Sequence, residues 1–155
     1  MRRQNNSGSN SQPGLDASLG LIYRLNILFF EADKESQRGE FDSWNVVLDR
    51  IYCNLLYKND IQVVKDDKGK ILNMKLSTDD EAEYIYLTSQ IFKAKKQFFE
   101  VPKVKTALTT KNKIIAKSRW YRALMMKDVW LRKLMMKLKL YLKETEYSPG
   151  SALFG

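Results

Sequence analysis

The 155-residue sequence contains no histidine and one cysteine, Cys53. Histidine is the usual general acid or base near neutral pH, so its absence removes catalytic triads and every histidine-containing zinc site. A single cysteine excludes an internal disulfide and any cysteine-only metal centre within one chain. We therefore expect no catalytic residues, no metal and no cofactor, and a reducing compartment.

Acidic clusters are the remaining source of enzymatic chemistry, and simpler explanations account for them. Asp66-Asp67 falls in a predicted turn, and Asp79 to Glu83 falls at a predicted helix start, where the helix dipole favours anions. A magnesium-dependent nuclease could use such carboxylates with Lys68 or Lys70. We expect a non-enzymatic protein, because one small hairpin is a poor platform for converging acids.

Long apolar runs are also missing. The most apolar early stretch, Leu19 to Phe30, is interrupted by Arg24 and Asn26, and no segment approaches the ~20 apolar residues that a bilayer requires. The opening MRRQNNSGSN has no apolar segment of the secretory type. We expect no membrane partner and a cytoplasmic location, which for a viral protein means the host cytoplasm or the virion.

Negative charge is scarce in the back half of the chain. The net charge is +9, but residues 93–143 contain sixteen Lys or Arg and only two acids, Glu100 and Asp128. Residues 1–92 contain eleven Lys or Arg and fourteen acids, and are therefore nearly neutral. Such a one-sided segment favours an anionic partner, which is nucleic acid (DNA or RNA), an acidic protein or a membrane surface, although a solvated surface that maintains solubility is the simpler alternative.

Apolar periodicity predicts one helical domain over 15–143, between a flexible tail at 1–14 and a C-terminal tail at 144–155. The first two helices form an αα-hairpin, with Gly39 ending one helix and Asp42 or Ser43 capping the next. Their predicted core stripes follow helical spacing: Leu21, Leu25, Leu28 and Ala32 in the first helix, and Trp44, Val47, Leu48, Ile51 and Leu55 in the second.

One small β-hairpin is predicted at about 61–76. IQVV and ILNMKL flank the turn sequence KDDKGK, and Leu72, Met74 and Leu76 alternate with polar residues as in a half-buried strand. A lone two-stranded ribbon is marginal in water, so it must lean on the helices.

Two further helices complete a mainly α fold class, and the last of them is long and basic. The third begins near Thr78 and ends before Pro102, with an apolar stripe of Tyr84, Leu87, Ile91, Ala94 and Phe98. The last includes 111–143, a stretch without Gly or Pro. Whether it is continuous from Lys103 or bends at Thr109-Thr110 is left open.

The side of the last helix opposite its core face is mixed in polarity. Its predicted core face contains Trp120, Leu124, Trp130, Leu131, Leu134, Leu138, Tyr141 and Leu142. The opposite side mixes cations with apolar residues that include three methionines. Three interpretations stand: the other helices cover both sides, a Met-rich face docks a protein or a second copy, or the cations follow phosphates while aromatic rings stack on bases.

Candidate binding residues follow from the last two interpretations. The candidate nucleic-acid contacts are Lys111, Lys113, Lys117, Arg119, Arg122, Arg132, Lys133, Lys137 and Lys139. The candidate protein-interface residues are Tyr121, Met125, Met126, Met136, Leu153 and Phe154. The last two are apolar residues near the terminus that could plug a groove, although disorder is the rule for chain ends.

Two stretches resemble small helical proteins of tailed-phage genomes. They are WNVVLDRIYCNLLY, from Trp44 to Tyr57, and WLRKLMMKLKLYLKETEYSPGSALFG, from Trp130 to Gly155. The resemblance implies a packaging or virion-assembly setting, such as a small packaging subunit or a connector component. It supplies no functional residues.

The sequence thus predicts a protein that binds nucleic acid or acts in packaging through its basic, Met-rich C-terminal helix. The alternative is an oligomeric subunit that uses its apolar helix face and C-terminal tail for protein contacts without nucleic acid. A protein partner or a homo-oligomer is expected in either case.

Overall fold

A computed structural model describes residues 13–57, 64–65, 71–73 and 78–146. Its four helices contain 26, 17, 23 and 40 residues: α1 (Pro13–Arg38), α2 (Phe41–Tyr57), α3 (Thr78–Glu100) and α4 (Ala107–Glu146). Of the predicted tails at 1–14 and 144–155, residues 1–12 and 147–155, with Leu153 and Phe154, lie outside the described residues, whereas residues 13–14 belong to α1 and residues 144–146 to α4.

The prediction that a β-hairpin is one element of the fold is wrong. Between α2 and α3 the structure describes only β1 (Val64–Lys65) and β2 (Ile71–Asn73), whose antiparallel register shifts between Val64 and Lys65. The rest of the predicted 61–76 hairpin lies outside the described residues. Strands of two and three residues cannot form a layer of the fold, because a short ribbon buries little apolar surface. The predicted mainly α class is correct, because the four helices make up nearly all of the described structure.

The turn between α1 and α2 confirms the predicted role of Gly39. This glycine has a φ of 73°, and Glu40 N–H donates to the Glu35 carbonyl at 3.0 Å, as in a Schellman C-cap. The carbonyl of Glu40 then accepts the first helical bond of α2 from Trp44 N–H at 2.8 Å. Glu40 is therefore the N-cap, and α2 begins two or three residues earlier than a cap at Asp42 or Ser43 would require, which makes Phe41 a core residue.

The start of α4 answers the question that the sequence left open. Residues 101–106 form a loop, and α4 is continuous from Ala107 onward. Thr106 Oγ1 accepts a bond from Thr109 N–H at 3.1 Å, while Thr106 N–H donates to Thr109 Oγ1 at 3.0 Å. This reciprocal pair is a capping box, so Thr109 helps to start the helix and does not bend it.

One apolar core joins the four helices. The α2 stripe is fully confirmed, and the predicted stripes of α1 and α3 are buried or half-buried. On α4 the buried members of the predicted face are Trp120, Leu124, Leu131, Leu134 and Leu138. Trp130 is half-buried, and the side chains of Tyr141 and Leu142 lie outside those that the structure describes.

None of the described helices combines the length and the apolar character that crossing a bilayer would require.

Candidate nucleic-acid interface

A groove runs between α3 and α4, which pack side by side because only the 101–106 loop separates them. It has a volume of about 350 Å³. We call it the basic groove and define it by four α3 residues and two α4 residues: Tyr86, Gln90, Lys93, Gln97, Arg119 and Arg122.

Helical spacing on α3 explains how one wall of the basic groove forms. Tyr86, Gln90, Lys93 and Gln97 follow one another at intervals of four, three and four residues, which places them on one face beside the buried Leu87, Ile91 and Ala94 stripe. The sequence pattern alone did not identify these four residues as a site. Their helical spacing shows in the sequence that they share one face of α3. That this face lines a groove depends on how α3 packs against α4.

The charged side chains of the basic groove are all cations. Lys93, Arg119 and Arg122 are exposed, and none of them has an ion pair among the described residues. A second hollow of about 330 Å³ adjoins the groove through Leu87, Arg122 and Met126, and adds Lys133 and one acid, Glu83. The two hollows are therefore lined by four cations and one acid, which leaves an excess of positive charge.

The other predicted cations of α4 are spread around the helix. Lys113 Nζ lies 5.1 Å from the centre of the Phe98 ring, and Lys117 Nζ lies 5.7 Å from the centre of the Phe41 ring. These two cation–π contacts are on the side of α4 that faces the aromatic core. Lys111, Lys137 and Lys139 are exposed and do not line the basic groove.

Arg132, predicted as a nucleic-acid contact, instead forms hydrogen bonds within the protein. Its Nε donates to Asp128 at 2.5 Å, its Nη2 donates to Asp33 at 2.7 Å, and its guanidinium lies 4.6 Å from the Phe29 ring centre. Burial alone would lower the pKa of Arg132, but the bonds to both aspartates outweigh it and raise the pKa. Arg132 therefore links α4 to α1 through its contacts with Asp33 and Phe29.

The predicted protein-interface residues separate into two groups. Tyr121, Met126 and Met136 are exposed, whereas Met125 is half-buried against the core. The exposed Tyr121 still packs one side of its ring against Trp44, with centroids 5.5 Å apart.

A buried lysine lies in the middle of the core face of α4. Lys127 is fully buried, and its Nζ donates to Asp49 Oδ1 at 2.5 Å and to Asn45 Oδ1 at 3.0 Å. The Tyr84 hydroxyl donates to the same Asp49 oxygen at 2.7 Å, and the Tyr84 ring lies 4.8 Å from Lys127 Nζ. We call Asn45, Asp49, Tyr84 and Lys127 the lysine cluster.

Burial changes the proton affinity of the lysine cluster. It lowers the pKa of Lys127, although the hydrogen bond and charge of Asp49 act in the opposite direction. It raises the pKa of Tyr84, and the bond to Asp49 adds to that effect. Lys127 is buried, and its three half-buried partners are bonded to it or to one another, so we interpret the cluster as a structural link between α2, α3 and α4.

Metal binding finds no support within the described ranges, where no group of three or more Cys, Asp or Glu residues is arranged to hold an ion. The chain matches no protein-family model, no curated protein and no solved structure. The resemblance to tailed-phage proteins and the expected absence of enzymatic activity therefore stay predictions.

Proposed function

We propose that this protein binds single-stranded nucleic acid along the basic groove. The supporting observation is the set of cations Lys93, Arg119 and Arg122, which face a shared groove without a neutralising acid among the described residues. Phosphate oxygens would supply the missing charge, and release of counterions from the nucleic acid would drive binding.

Tyr86 and the two glutamines favour a single strand over a duplex. The Tyr86 side chain is 55% exposed, so its ring is free to stack on an unpaired base. Gln90 and Gln97 place amide donors and acceptors beside it in the groove, where they can reach base edges. A duplex offers no unstacked base to such a ring.

The test is a fluorescence anisotropy titration with a labelled single-stranded oligonucleotide, as DNA and as RNA, at low salt. We expect Arg119→Gln/Arg122→Gln to weaken binding roughly tenfold or more, because two charge-assisted phosphate contacts are lost. The matched control, Lys111→Gln/Lys139→Gln, removes the same charge from the same helix outside the groove and should have a smaller effect.

Failure to bind at low salt would contradict the proposal. Equal weakening by the two double variants would also contradict it, since bulk charge rather than the groove would then explain the affinity. Far-UV circular dichroism and thermal unfolding of each variant establish that the fold is retained.

A second candidate function is assembly through protein contacts on α4, which could operate without nucleic acid. It is supported by the exposure of Met126 and Met136 on the solvent side of a helix whose other side is already packed. The packaging or virion setting implied by the phage resemblance is compatible with both candidates.

A further inference from the structure

The C-terminal half of α4 has a second apolar stripe. Met126, Val129, Lys133, Met136 and Leu140 follow at intervals of three, four, three and four residues, which is the a/d spacing of a heptad repeat. We call these five residues the α4 seam. Its apolar members are substantially exposed: Met126 55%, Val129 42%, Met136 57% and Leu140 63%.

The α4 seam lies on the opposite side of the helix from the core. The core face centres on Leu124, Leu131 and Leu138, which are fully buried. At 100° per residue the seam is turned by roughly half a revolution from those leucines. The other three helices therefore do not cover it. The seam extends over about 21 Å at 1.5 Å per residue, enough for two heptads of a partner helix.

Charge complementarity identifies the kind of partner. Lys137 and Lys139 flank the seam, and Lys133 lies within it. Between Ala107 and Leu140, a range whose side chains the structure describes throughout, the single acid is Asp128. Asp128 is 3% exposed and is already bonded to Trp44 Nε1 at 3.0 Å and to Arg132. No acid of α4 between Ala107 and Leu140 therefore balances the seam, and one acid of α3, Glu83, shares a hollow with Met126, Val129 and Lys133.

The α4 seam of a second copy of the chain is a poor occupant. Pairing α4 with itself would bring Lys133, Lys137 and Lys139 against the same lysines, and like charges that face each other destabilise a helix pair. A phosphate backbone would neutralise the lysines but would leave the apolar side chains in water. A helix with an apolar stripe and acidic flanks satisfies both requirements.

We propose that the α4 seam binds an acidic amphipathic helix of a partner protein, in coiled-coil-like packing. Met126, Val129, Met136 and Leu140 contact the partner's apolar stripe, and Lys133, Lys137 and Lys139 pair with its carboxylates. This inference deepens the second candidate function by naming the partner's chemistry. It does not depend on nucleic-acid binding: the seam meets the basic groove at Met126, but Met136 and Leu140 do not line that groove.

The test uses two synthetic helical peptides with leucine at their a and d positions. One has glutamate at the flanking e and g positions, and its control has lysine there. Isothermal titration calorimetry of the full chain should detect binding of the acidic peptide and much weaker or no binding of the basic peptide. Met136→Gln/Leu140→Gln should reduce the affinity for the acidic peptide at least tenfold, whereas Met136→Leu/Leu140→Met should retain it.

Two controls keep the candidate functions distinguishable. Met136→Gln/Leu140→Gln should leave oligonucleotide affinity unchanged. Arg119→Gln, which changes a groove residue that does not line the hollow shared with the seam, should retain peptide affinity. The inference is overturned if the acidic peptide does not bind, or if the basic peptide binds equally well. It is also overturned if the chain alone forms an oligomer that Met136→Gln/Leu140→Gln dissociates. That last result would identify a second copy as the occupant and would keep assembly as a function.

Discussion

Lys127 connects three helices through side chains that are distant in sequence. Asp49 and Asn45 come from α2, Tyr84 comes from α3, and all of them contact the Lys127 ammonium group. A charged lysine at the centre of an apolar face would be costly without these partners, since burial removes its hydration. The lysine cluster is therefore expected to stabilise one particular arrangement of the helices.

Removal of the Asp49 carboxylate should reveal the free-energy cost of burying the charged Lys127 side chain. We expect Asp49→Ala to lower the free energy of unfolding by about 2 kcal/mol, because Lys127 then retains only Asn45 and Tyr84 as partners. Asp49→Asn should cost less, since its amide oxygen can still accept a hydrogen bond. Urea denaturation followed by circular dichroism measures both. Equal stability of Asp49→Ala and the wild type would show that the cluster contributes nothing to folding.

The lysine cluster also predicts a pH dependence. The pKa of Tyr84 is raised above its ordinary value of 10.0 by burial and by Asp49. A group with a raised folded-state pKa contributes stability that is complete below the unfolded pKa and is lost as pH rises above it. We expect the free energy of unfolding to decline above pH 10, and to decline less steeply in Tyr84→Phe. Parallel curves for the two proteins between pH 8 and 11 would refute this.

Lys127 changes the free energy of unfolding in the opposite direction, over a neighbouring pH range. Its pKa is lowered from 10.5 by burial, so the unfolded chain binds more protons than the folded chain between the lowered pKa and 10.5. Stability attributable to Lys127 therefore rises with pH through that window. Comparison of the wild type with Tyr84→Phe isolates the tyrosine contribution, since both proteins retain Lys127.

At the scale of helices, local sequence determines where α4 begins. Thr106 and Thr109 exchange backbone and hydroxyl hydrogen bonds at the first turn. The sequence leaves open a bend at the β-branched Thr109-Thr110, and the pattern T-x-x-T does not contain the usual Glu or Gln of a capping box. The cap also sets the position of Arg119 and Arg122 along the groove, because both lie on the same unbroken helix.

Loss of the cap should destabilise the helix start. Thr106→Ala removes the hydroxyl acceptor for Thr109 N–H, and we expect it to lower the free energy of unfolding by about 1 kcal/mol. Thr106→Ser retains an acceptor at the same place and should stay close to the wild type. Thermal and urea unfolding of the two variants check this, and identical stability of all three proteins would contradict the capping role.

Helix faces could be predicted from the sequence because burial follows helical periodicity. Trp44, Leu48 and Ile51 recur at the spacing of one face, and all three are fully buried. The strand prediction had no comparable support: alternation around Met74 describes a local pattern, and whether strands form depends on packing against the rest of the chain. The structure describes only the short pairing of β1 and β2 in that region.

At the scale of the whole molecule, contacts between helices could not be predicted from the pattern alone. Arg132 appeared to be one more cation of a basic helix, but it pairs with Asp33, 99 residues away in sequence. Lys93 and Gln97 lie beside Arg119 only because α3 packs against α4 with a particular rotation. The sequence established that the back half of the chain is cationic, whereas the packing decides which cations share a groove.

The most direct test of the proposed function is the salt dependence of oligonucleotide binding. The logarithm of the association constant for a single strand falls with the logarithm of salt concentration by about 0.7 for each phosphate neutralised. We therefore predict that Arg119→Gln/Arg122→Gln reduces the magnitude of this slope by roughly 1.4, while Lys111→Gln/Lys139→Gln leaves it close to the wild-type value. An unchanged slope in Arg119→Gln/Arg122→Gln, or an equal reduction in both variants, would contradict binding along the basic groove.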